Sequence, residues 1–204
     1  MFTLYYYKES LPTSFYQEDG PFEWLTALLL LTAAFLIGGA AYRLRRAARG
    51  TQYWWVLRGY LLLAALFFLF AMEEVSWGQR IVGWKTPAAW QDINYQDETN
   101  LHNVVSNRLL FNVLPLFLLP PVLLSIAAGF GQRHNTLTRL LLPHPTLIGL
   151  ALLVAFPIIV SLPDRVLLAR FASDELLEQL VALFAFFYGI RIGGWAGFRA
   201  TGIA

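Results

Sequence analysis

Apolar positions in this chain come in long unbroken blocks. They show neither the alternation of a half-buried strand nor the three-and-four spacing of an amphipathic surface helix. A helix that crosses hydrocarbon needs ~20 mostly apolar residues. Blocks at 22–42, 54–72, 109–130, 146–162 and 175–195 meet that need. The pattern predicts an all-α integral membrane protein: a single transmembrane domain over 1–204 with about five membrane-spanning helices. A long outer loop, 73–108, joins the second and third and is expected to be interfacial or re-entrant. Prolines 115, 120, 121 and 157 predict kinks. Gly189, Gly193 and Gly197 recur at every fourth position and predict a close helix–helix contact. Gly38 and Gly39 suit the same role on the first helix.

Composition agrees with the pattern. The chain is 57% hydrophobic and 14% charged, outside the usual balance of a soluble domain. Its first residues carry Lys8 but also Glu9, Glu18, Asp19 and Glu23, so a cleavable signal is not expected. The absence of cysteine excludes disulfides, thiolate metal sites and cysteine nucleophiles.

Charge placement predicts the orientation. Arg43, Arg45, Arg46, Arg49 and Arg58 flank the first connection, Arg133 and Arg139 lie in the third, and Arg199 lies in the tail. The positive-inside rule makes these segments cytoplasmic and the N-terminus external. All 13 acidic residues then fall on the outer side. A net charge of +2 therefore hides a dipole, basic inside and acidic outside. The basic side suits an anionic leaflet and needs no nucleic-acid partner. Arg191 is expected to snorkel to the inner rim. The arginine-rich, lysine-poor balance fits a bacterial inner membrane.

The outer loop concentrates the candidate chemistry. Glu73 and Glu74 follow directly on the apolar run ending at Met72, where anionic charge opposes the helix macrodipole. Should the helix continue instead, Glu73, Ser76 and Arg80 would share a face. Either geometry calls for a partner, because a carboxylate at the edge of hydrocarbon is unfavourable alone. At the far end of the loop, Asp97 and Thr99 suit a helix start. Glu98 and His102 are one turn apart, and Asn103 and Asn107 repeat that spacing. Glu73, Glu74, Glu98 and His102 are the candidate catalytic groups, suited to acid–base work. Arg80, Gln79, Trp77 and Asn103 are candidate substrate-binding groups, Arg80 for an anionic headgroup. Glu74, Glu98 and His102 are candidate ligands for a divalent metal ion such as Zn, Fe or Mn. Their spacing matches neither HExxH nor the Glu-x-x-His of di-iron bundles. Trp77, Trp84, Trp90 and Tyr95 suit a headgroup layer, so an interfacial helix that seals the bundle accounts for part of the loop. No phosphate loop, nucleophile elbow or internal repeat is present.

The stretch "EEVSWGQRIVGW" with Thr86 and Pro87, followed by Asn94, Gln96, Glu98, Thr99, Asn100, His102 and Asn103, resembles a signature of a family of bacterial polytopic membrane proteins without an assigned activity. The resemblance covers about a sixth of the chain. It implies that the loop acts as one unit and implies no particular reaction.

Two functions are expected from these residues. In one, the loop and adjoining helix ends form a membrane enzyme's pocket for a lipid or lipid-linked substrate. In the other, the loop is a rigid cap on a structural or assembly subunit, docking a membrane-protein partner or a second copy. A transporter is disfavoured by the absence of an inverted repeat and by the scarcity of charge at mid-span.

Overall fold

The computed structural model describes residues 20–47, 52–91, 99, 147–150, 152–153 and 174–200. The described residues are helical, with no strand among them. Helix α1 is Pro21–Ala47, α2 is Gln52–Glu74, α3 is Gln79–Val82, α4 is Ala88–Gln91 and α5 is Asp174–Ala200. A single 3-10 turn, Ser76–Gly78, links α2 to α3. Two helices, over Pro21–Arg46 and Tyr53–Glu74, are long and apolar enough to cross a membrane.

Helix α1 begins on a proline, whose fixed φ suits a first helical position. Glu23 in its first turn and Arg45 and Arg46 in its last complement the helix dipole. That complement carries the helix past the expected end at 42. Helices α2 and α5 likewise overrun the blocks 54–72 and 175–195 at both ends. The expected third span, 109–130, lies outside the described residues, and of the fourth only 147–150 and 152–153 are described, as helix.

Helix α1 is the one against which both α2 and α5 pack. Of its apolar window 44% is buried, against 22% for α2. The faces in contact are lined with small residues. Ala33, Ala40 and Ala41 are fully buried, and Gly38 approaches Ala64 of α2. Of the glycine stripe on α5, Gly189 and Gly193 meet α1. A Cβ on Gly189 would stand 3.2 Å from the Ala33 Cα, and one on Gly193 3.6 Å from Leu36. Backbones approach this closely only where side chains are missing, which strengthens dispersion between the helices.

Polar ties fix the register at both ends. Gln179 of α5 is buried and donates to the Phe22 carbonyl and to Thr26 Oγ1 on α1. At the other end Arg43 Nη2 donates to the Gly193 carbonyl at 2.9 Å. Helices α1 and α5 therefore run parallel, and α2 returns antiparallel to both. The core between them holds Ile37, Val56, Leu57, Tyr60, Phe184, Tyr188 and Ile192, with Leu147 against it.

Candidate functional site

The site begins where α2 stops. The helix neither ends at Met72 nor continues through Arg80 on one face. It runs to Glu74 and then breaks. Ser76, Trp77 and Gly78 take φ of +46°, +56° and +76°, three successive left-handed residues. Two of them are not glycine, and each costs about 1–2 kcal/mol relative to the right-handed form. Local bonds offset that cost. The Gly78 amide donates to the Val75 carbonyl at 2.8 Å, and the Trp77 indole N–H donates to Glu73 Oε1 at 2.7 Å. The bend thus supplies the carboxylate at the α2 C-terminus with a donor. Helix α3 is then closed by Gly83, left-handed, whose amide donates to the Gln79 carbonyl at 2.7 Å.

Beyond the bend the loop is tied to itself. Gln79 Nε2 donates to Thr86 Oγ1 at 2.8 Å, and the Thr99 amide donates to Gln79 Oε1 at 2.7 Å. Gln91 Nε2 donates to the Thr86 carbonyl at 3.0 Å. Both ends of the Gln79 amide are therefore engaged within the loop. Thr99 is thereby held at Gln79, although 20 residues separate the two along the chain. Its Oγ1 is buried and has no hydrogen-bond partner.

Glu74 points elsewhere. Its carboxylate lies within Coulombic range of Glu178, Glu23 and Glu73. Three helices thus bring carboxylates to the same end of the packed helices: the second turn of α5, the first turn of α1 and the last turn of α2. Glu73 is buried, while Glu74, Glu23 and Glu178 are half-buried. Gln179, the neighbour of Glu178, is the residue that pins α5 to the first turn of α1. Sequence reasoning placed Glu23 and Glu178 on the acidic side without assigning them to the site. Their signal was positional, since both stand at helix ends of one polarity.

Of the residues expected from the sequence, the fold brings Glu73, Glu74 and Trp77 to the end of α2, while Gln79 is engaged within the loop by Thr86 and Thr99. Glu98, His102 and Asn103, and the side chain of Arg80, lie outside the described residues. So does the metal set that needs Glu98 and His102. Among the described residues no three His, Asp or Glu side chains are arranged to hold a metal ion. Arg191 is half-buried on α5 and lies within Coulombic range of the Tyr60 and Tyr188 hydroxyls.

No family model, curated protein or solved structure matches this chain.

Proposed function

We propose that this is a polytopic membrane protein, about five spans in a bacterial inner membrane, with an acid–base site at the outer membrane–water boundary. The substrate is an amphiphile, a lipid or lipid-linked molecule that enters from the outer leaflet. The observation that carries this reading is that Glu74, partly buried at the end of α2, has Glu73, Glu23 and Glu178 of three packed helices within Coulombic range. Like charges there repel one another, and desolvation adds to the cost. Stability alone would disperse them. A site that takes and returns protons benefits from them.

The roles follow from position. Glu73 is held by Trp77 and is fixed in place. Glu74 has three carboxylate neighbours and is the group that exchanges a proton with substrate. Glu98 and His102, neighbours in sequence of the Thr99 that Gln79 holds, are proposed as the second half of the site. A divalent metal held by Glu74, Glu98 and His102 belongs to this proposal, as does the loop's resemblance to a bacterial membrane family.

The test is product formation. Wild type and Glu74→Gln would be reconstituted in vesicles of total bacterial lipid, and lipid species followed over time by mass spectrometry. A species formed by wild type and lost in the folded variant supports the reading. An unchanged lipid profile with wild type overturns it.

One observation favours a second reading. Gln79, Thr86, Gln91 and Trp77 are hydrogen-bonded within the described part of the loop. A self-contained cap of this kind suits a subunit that docks a membrane partner. In that case Gln79→Ala dissociates a complex seen on native gels, while Glu74→Gln leaves it intact.

A further inference from the structure

Among the described residues, no acid lies at the end of the helices that carries the guanidinium groups. Arg45, Arg46 and Arg58 are exposed. Every described acidic residue belongs to the opposite end of its helix. Two of the arginines are held in the same way. The Arg58 guanidinium lies 5.2 Å from the Trp55 ring centre, and Arg46 lies 5.3 Å from that of Tyr42. Stacking on a ring face keeps the cation beside the helix and leaves its in-plane N–H donors free to point outward.

Each stacked pair heads an exposed apolar stripe. On α2, Trp55, Arg58, Leu62, Leu66 and Leu69 follow three- and four-residue steps and so share one face. Trp55 is 73% exposed, and the leucines below it are also exposed. On α1 the same order appears in reverse. Leu28, Phe35 and Tyr42 are seven apart, with Arg46 one turn further, and Phe35 is 71% exposed. Each track presents one cation at the headgroup level and then about 20 Å of apolar surface, at 1.5 Å per residue.

A soluble phosphate would use the cation and leave the stripe uncovered. A nucleic acid would do the same. The surface fits a molecule with an anionic head and long apolar chains. We infer that α1 and α2 each carry a binding track for an anionic phospholipid of the leaflet at the basic end. In each track the phosphate sits on the stacked arginine and an acyl chain lies along the stripe. Arg43, whose Nε is buried without a hydrogen-bond partner, adds positive charge at the same end of α1.

This inference rests on the reading of α1 and α2 as membrane spans, and the experiment separates the two. The full chain would be reconstituted in phosphatidylcholine vesicles containing a small fraction of brominated phosphatidylglycerol or brominated phosphatidylcholine. Bromine quenches tryptophan on contact, and Trp55 lies at the α2 track. The anionic lipid should quench more strongly than the neutral one, and the difference should shrink in Trp55→Phe. Arg58→Gln should weaken the anionic preference about 5-fold, the value of one arginine near an anionic surface. Native mass spectrometry of Arg46→Gln should show fewer phosphatidylglycerol molecules retained. Equal quenching by both lipids in wild type, or an unchanged preference in Arg58→Gln, overturns the inference and leaves the membrane reading standing. Protein that fails to float with the vesicles overturns the membrane reading itself.

Discussion

Ser76, Trp77 and Gly78 show how much of the site depends on single backbone conformations. A left-handed residue without a glycine needs compensation, and here Trp77 receives it from Glu73. Gly78 is the economical member of the three. A Cβ on Gly78 would meet nothing within 4 Å, so Gly78→Ala tests the backbone alone. It should destabilise the protein by about 1 kcal/mol. Gly59 is the control, since it lies inside α2 with equally open space. Gly59→Ala should stabilise by about 0.5 kcal/mol, because an ordinary helical position prefers alanine. Thermal unfolding in detergent, followed by circular dichroism, checks both signs. The same sign for both would mean that the left-handed turn is not a feature of the folded protein. Nothing in the sequence around Ser76 and Trp77 announces that turn, because serine and tryptophan rarely adopt it. Only Gly78 and Gly83 were visible signs of a break.

Between elements, the contacts that matter most are those where side chains are smallest. Gly189→Ala would push a methyl against the Ala33 backbone, which cannot yield as a flexible side chain can. A loss of about 1–3 kcal/mol is expected, with α5 displaced from α1. Gly194→Ala, facing open space, should change little. Gln179→Leu keeps the volume but removes both ties to α1, and should lose about 1 kcal/mol. Denaturant titration monitored by proteolysis ranks the three. The order Gly189, Gln179, Gly194 is expected, and a neutral Gly189→Ala would deny the close packing. The sequence exposed the glycine stripe because its period is local to one helix. It could not name the partner, since the pairing of α5 with α1 depends on residues far apart in the chain. Gln179 carried no local signal at all, because a glutamine near a helix start is ordinary until a second helix covers it.

Across the whole molecule, charge and hydropathy point the same way. The described acids gather at one end of three packed helices and the arginines at the other. Glu73 and Glu74 stood out in the sequence because they interrupt an apolar run. Glu23 and Glu178 did not, since their importance appears only when α1 and α5 end beside α2. Under the proposed reading, the positive-inside rule puts the acidic end outside. A chain without cysteine makes the orientation easy to read, because every introduced thiol reports alone. Ile81, 71% exposed on α3, lies just past the acidic corner, and Arg45 is exposed near the end of α1. Removing Arg45 leaves Arg43, Arg46 and Arg58 to hold the orientation. In intact cells a membrane-impermeant maleimide should label Ile81→Cys and should reach Arg45→Cys only after permeabilisation. The reverse pattern would turn the protein over and put the carboxylates in the cytoplasm, where the amphiphile would have to come from the inner leaflet. Labelling of both from one side would mean that α2, the one long helix between them, does not cross.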